Sequence, residues 1–288
     1  MPLGRLPREV FQARGFSGIP NIKYFYVFLC FVYIVSVLGN TVVMAVIYLD
    51  RNLRTPKYIA VFNLAFVDLL AIATSPTTTV FNLVALSYDR LIAIIHPLHY
   101  QVKVTHRSML CLIASFWVLA ITVNLVAVGL LTRLSFSRSV VINSYFCDHG
   151  QIYRLACNDN TPSYVLAKFL TVLVLWFPLV FIVLSYVCIG YALSKVATAL
   201  ERYKAFKTCT AHLSLVAIYF IPILITFTMS SGIHPNARII NLSLTSVFPP
   251  MLNPIIYVLQ TQEIKASVKK ILKVRKESKL KVRKVIIK

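Results

Sequence analysis

Five apolar blocks constrain this chain more than any single motif does. They are Tyr24–Leu49, Met109–Leu131, Val180–Leu193 with the apolar stretch upstream of it, Cys209–Ser231 and Ile239–Gln260. Each is close to the roughly 20 residues that a helix needs to cross about 30 Å of hydrocarbon. Composition agrees. A soluble domain carries about a quarter charged residues, whereas this chain of 288 carries 14%, with 58% hydrophobic residues and a mean hydropathy of +0.75. The fold class that follows is all-α and integral to a membrane.

The net charge of +21 would suit a nucleic-acid partner, but its placement argues against one. Lys and Arg gather in the connections and the tail, where residues 261–288 hold 11 of the 30. That is the positive-inside bias of membrane proteins. The chain divides into an amino-terminal segment 1–23, expected outside, a transmembrane bundle 24–260 and a basic cytoplasmic tail 261–288. Met1–Phe16 has no apolar core and is interrupted by Arg5, Arg8, Glu9 and Arg14, so insertion is expected to depend on the first span. In the tail, Ile264, Val268, Ile271 and Leu272 recur at helical spacing among lysines. That pattern reads as a helix lying on anionic inner-leaflet lipids, or as a solvated basic tail.

Polar groups inside such blocks are costly, which makes them site candidates. Asn40 reads as either an interhelical contact or a functional group, and Asp68 as a functional acid or one facing a water pocket. Asp89–Arg90 stands at the end of an apolar helix in SYDRLIAIIHPLHY (Ser87–Tyr100), which Pro97 stops. No metal or nucleophile constellation and no internal repeat is visible, so an enzyme or transporter has little support.

The Ser87–Tyr100 wording closely resembles the cytoplasmic end of helix three of odorant receptors, a branch of the rhodopsin-like G-protein-coupled receptors. LRTPKYIAVFNLAFVDL resembles their second helix, KAFKTCTAHLSLVAIYFIP their sixth and PPMLNPIIY their seventh. NSYFCDHGQIYRLACND resembles the second external loop of fish odorant receptors. The resemblance covers about residues 15–75 and 81–265. It implies a rhodopsin-like helical bundle in the plasma membrane that senses a small-molecule odorant and meets a heterotrimeric G protein, with no cofactor and no metal. Carried over by position, Tyr88, Asp89 and Arg90 would couple to the G protein. Asn40, Asp68, Tyr186, Phe220, Pro222, Asn253, Pro254 and Tyr257 would form the activation switch, although Tyr219–Phe220 also reads as ordinary aromatic packing. Thr171, Phe227, Ser243 and Ser246 would contact ligand.

The resemblance breaks between Tyr58 and Tyr88. Only 31 residues lie there, whereas two crossings need about 40. A turn at Ser75–Thr79 leaves two helices of roughly 15 residues, about 22 Å each; a single tilted span would be about 46 Å long. The hairpin is the reading taken, because it keeps Asp68 facing Asn253. The expected bundle therefore has five full spans and a shortened helix-two/helix-three hairpin. Counting positives does not separate the hairpin, with 21 inside and 8 outside, from the single span, with 22 and 7. The gap removes the outer parts of helices two and three, including the family's helix-three cysteine, which is Cys147's partner there. Cys147 and Cys157 then pair with each other or remain thiols. The alternative to a working receptor is a truncated or rearranged, non-signalling product retained in intracellular membranes.

Overall fold

Each apolar block becomes a helix whose ends are set by local sequence. The computed structural model describes residues 11–13, 21–70, 76–136, 140–142, 149–196, 198–228, 234–270 and 273. Helix α1, Ile22–Leu49, ends at Asp50, whose carboxylate accepts the Asn52 N–H at 3.1 Å and opens a 3₁₀ turn over Arg51–Leu53. Helix α2, Pro56–Leu69, and helix α3, Pro76–Ile95, both begin on a proline, whose fixed φ suits the first helical position. Helix α3 stops just before His96–Pro97, since the residue ahead of a proline is steered out of the α region. A reciprocal Thr105–Ser108 capping box opens α4, His106–Leu131. Then come α5 (Thr161–Ser194), α6 (Ala199–Thr228), α7 (Pro235–Gln260) and a short helix α8 over residues 262–270.

Helix α5 widens into a π-helical turn over Thr171–Trp176. Pro178 supplies no N–H to the Val174 carbonyl, and the turn before it absorbs the mismatch. Helix α5 ends at Ser194 and α6 begins at Ala199, so the basic 194–208 segment belongs mostly to α6.

Among the described residues, six helices are long and apolar enough to cross a membrane: α1, α3, α4, α5, α6 and α7. Their outer faces stay bare. Of the 26 residues of α4 only Met109, Ile113 and Ala120 are buried, while Val118 and Leu125 are 64% and 66% exposed. Apolar surface on this scale is rare on soluble monomers; facing lipid tails, it carries no hydration cost.

The hairpin forms, with one correction. Pro76–Thr79, expected in the turn, make the first turn of α3 instead. Residues 71–75, with the expected turn residue Ser75, lie outside the described residues. From Pro76 to Arg90 α3 has 15 residues and α2 has 14 in all, so both legs reach about 21–22 Å from the level of Arg90. Helix α3 continues inward to Ile95, which makes it long enough to count as a span; the shortness falls on α2.

Backbone pairing orders the two ends of the bundle. Strand β1, Phe11–Ala13, runs parallel to β2, Val140–Ile142, in register Gln12↔Val141. The amino-terminal segment and the 132–162 connection therefore share one end. At the other end Ser267 of α8 donates to Asp50 Oδ2 at 2.6 Å, and Ile264 is fully buried in a cluster with Leu53, Tyr58 and Val104. The bonds from Ser267, first, and from the Asn52 N–H hold the Asp50 carboxyl below its usual range. A single 58–88 span would have put the 50–57 connection at the end opposite the tail.

Candidate functional site

Where α1, α2 and α7 meet, four of the singled-out residues come together. Pro254 cannot donate to the carbonyl of Pro250, one turn back. Asn40 Nδ2 donates to that carbonyl instead, at 2.8 Å, and also to Ser36 O at 3.0 Å. A backbone group freed by proline is thus satisfied by a neighbouring helix, as hydrocarbon demands. Asn253 Nδ2 donates to Asp68 Oδ2 at 2.7 Å, with both side chains almost fully buried. Contact between α1 and α7 is close because residue 39 is glycine. A Cβ there would lie 3.0 Å from Cβ and Cγ of Pro254. The pyrrolidine ring cannot swing aside, so Gly39→Val should push α1 from α7 and cost about 1–3 kcal/mol, seen as a lower Tm in detergent. An unchanged Tm would mean that the seam is not tightly packed.

A second group lies at the inner end of α3. Asp89 is fully buried, and Arg90 Nη2 lies 3.1 Å from its Oδ2. Neighbours in a helix point about 100° apart and do not face each other. The pair is accordingly a Coulombic contact, and Asp89 Oδ2 makes no well-directed hydrogen bond among the described residues. The other oxygen, Oδ1, accepts from Tyr100 Oη at 2.5 Å. Burial, and then the Asp89 charge, push the Tyr100 phenol up, so it remains a donor at physiological pH. Tyr88 is partly buried in the cluster that holds Leu53 and Ile264.

Between α3, α5 and α6 runs a third set. Tyr186 Oη and His212 Nδ1 are 2.8 Å apart, their rings stack at 5.7 Å, and His212 Nε2 lies 3.1 Å from the Leu83 carbonyl. Ser87 and Ser185 share a hydrogen bond at 2.5 Å. Phe220 is buried against Tyr219, Val80, Leu83 and Leu175. Two residues on, the Pro222 carbonyl accepts from Asn241 of α7 at 2.7 Å, which pins α6 to α7 beside the proline. The Tyr257 hydroxyl is buried and has no hydrogen-bond partner among the described residues.

The four residues expected to contact ligand do not form so clear a group. Thr171, Ser243 and Ser246 each bond a carbonyl four residues back in their own helix, with Ser243 buried and Ser246 exposed. The Phe227 side chain lies outside the described residues, as do Cys147, Ile271 and Leu272. Cys157 donates its N–H to Ser135 O at 2.9 Å.

Sequence reasoning passed over His212, Ser87, Ser185 and Tyr100, and also the chain in which Trp117 Nε1 donates to Asn63 Oδ1 at 3.0 Å and Asn63 Nδ2 to Asn82 Oδ1 at 3.2 Å. One signal was present: a histidine in an apolar block needs partners for two ring nitrogens.

The sequence profile of the olfactory receptor family matches residues 78–275, well over half of the chain. The chain belongs to that family. Olfactory receptor 1E16 of Mus musculus is 32% identical over 285 residues, covering 88% of this chain and 91% of the relative. For olfactory receptor 13J1 of Homo sapiens the identity is 31% over 305, covering 94% and 97%. For olfactory receptor 2AT4 of Homo sapiens it is 28% over 297, covering 91% and 92%. Because 94% of 288 residues is about 271, about 34 of the 305 positions aligned with 13J1 face gaps in this chain. The profile match begins at residue 78, two residues into α3. This receptor is thus a rhodopsin-like G-protein-coupled receptor and a multi-pass plasma-membrane protein. Its family is one of receptors, not enzymes.

Proposed function

We propose that this receptor binds a small-molecule odorant within the bundle and activates a heterotrimeric G protein through Tyr88, Asp89 and Arg90. The observation that carries this reading is the buried Asp89 beside Arg90 and Tyr100 at the inner end of α3. A carboxylate that restrains the arginine by charge alone makes a weak clasp, suited to a two-state element whose balance a ligand can shift. Helix α6 pivots about Pro222, the Tyr186–His212 contact opens, and the unpartnered Tyr257 hydroxyl gains a partner in the active state. Asn40, Asp68, Asn253 and Pro254 hold α7 in register while this happens, and Phe220 transmits the movement. Thr171, Phe227, Ser243 and Ser246 line the odorant's side of the bundle. The tail rests its apolar positions on anionic inner-leaflet lipids.

Asp89→Asn tests the clasp. Without the charge Arg90 is released, so ligand-free GTP exchange should rise several-fold at equal surface level. Unchanged or reduced basal exchange would sink the restraint mechanism. The amino terminus is external in this reading, sharing that side with the 132–162 connection. A glycosylation acceptor placed near residue 12 should be modified in microsomes. Modification in the 50–57 loop alone would reverse the orientation.

A further inference from the structure

At the inner ends of α5 and α6 an open groove of about 480 Å³ is lined by Gly190, Leu193, Ser194, Arg202, Tyr203 and Phe206. Its walls are mostly apolar, and Arg202 is the one charged residue among those that line it. Tyr203 and Phe206 are 64% and 60% exposed, and the groove continues the bare face of α5 formed by Leu184, Val187 and Tyr191. On its inner side Leu193 packs into the cluster of Ile189, Cys209, Leu91 and Ile94. Neither Asp89 nor Arg90 is among the lining residues. Lys195 follows directly, its Nζ held 4.3 Å above the Tyr191 ring. Glu201, the acid in the first turn of α6, is not among the lining residues.

We propose that this groove is a binding site for one anionic phospholipid of the inner leaflet, with an acyl chain along Leu193, Tyr203 and Phe206 and the headgroup phosphate on Arg202. The charge fits, because a guanidinium binds phosphate through a planar fork of donors. The depth fits too, since the cation stands where two spans end and their apolar faces begin. Residue 190 leaves the groove open: a Cβ there would meet nothing within 4 Å. The site depends only on the membrane-embedded fold and stands whether or not the receptor couples as proposed above.

The test uses the full chain in nanodiscs of phosphatidylcholine containing one-tenth phosphatidylserine, the latter bearing a photoactivatable group on its acyl chain. Cross-linked peptides are mapped by mass spectrometry. Labelling within 190–206 should exceed that of the lipid-facing 118–128 stretch of α4. It should fall about fivefold in Arg202→Gln, the effect expected of one basic residue at an anionic surface, and to a similar extent in Gly190→Leu, which fills the groove. Both variants should keep the parent's Tm. A phosphatidylcholine probe should show no such enrichment. Equal labelling of α4 and the groove, or labelling indifferent to both substitutions, would overturn the site in favour of bulk lipid. Equal labelling by both probes, lost when purified heterotrimeric G protein is added, would overturn it in favour of a protein partner.

Discussion

Arg90→Ala abolishes G-protein activation by this receptor while its insertion and surface level stay unchanged. Arg90 stands at the inner end of the most buried span, 15% exposed and 3.1 Å from a fully buried carboxylate. Its contact with Asp89 is Coulombic, between neighbouring residues that cannot face each other, so the guanidinium adds little to the packing of the resting state. Its removal should take away the group presented to the partner and leave the bundle in place. Asp89 keeps the Tyr100 bond at 2.5 Å in the variant, which limits the cost of losing the counter-charge. The measurement is ligand-stimulated nucleotide exchange, normalised to receptor at the cell surface. Signalling equal to that of the parent would remove the coupling mechanism. A loss of insertion would make Arg90 a structural residue.

Asp68→Leu should destabilise the bundle at the α1–α2–α7 seam. The substitution leaves the Asn253 amide buried without its 2.7 Å acceptor. An unsatisfied buried donor costs about 1–3 kcal/mol, whereas replacing both partners by apolar groups can be nearly neutral. Asp68→Leu/Asn253→Leu together should therefore recover part of the loss, with a coupling of about 0.5–3 kcal/mol in the double-mutant cycle. Asp68→Asn keeps an acceptor oxygen in place and should cost less than the leucine. The short hairpin raises the stakes. With 14 residues in α2, this bond is the tie that fixes its outer end to α7. Melting in detergent reads the effect. Equal Tm values for Asp68→Leu and the parent would show that the bond contributes nothing to holding the hairpin.

Much of the fold is written in local pattern. Apolar block length sets the helices and prolines set their starts and stops: Pro56, Pro76, Pro97 and Pro235 each act within a residue or two of where they stand. Chain length alone also shows that residues 58–88 cannot make two full crossings, but it leaves a short hairpin and one tilted span both open. The misplaced turn shows the limit of that reasoning. Ser-Pro-Thr-Thr-Thr has the composition of a connection, yet a proline also opens helices, and Thr77 and Thr78 find burial in the first turn of α3. Local composition does not choose between those uses.

The inner ion pair and the polar and proline residues of the helices were legible as residue types in a familiar order. What joins them was not. Asp68 meets Asn253 across 185 residues, Asn40 meets the Pro250 carbonyl across 210, and His212 meets the Leu83 carbonyl across 129. By itself the sequence determined that this protein is a bundle of membrane helices with too few residues over 58–88 for two full crossings, because hydrophobic length and proline stereochemistry act along the chain. Only the tertiary structure decided which polar groups satisfy one another and which ends of the helices lie together. Those are decided by the requirement that every polar group in hydrocarbon find a partner, and the nearest partner in space is rarely the nearest in sequence.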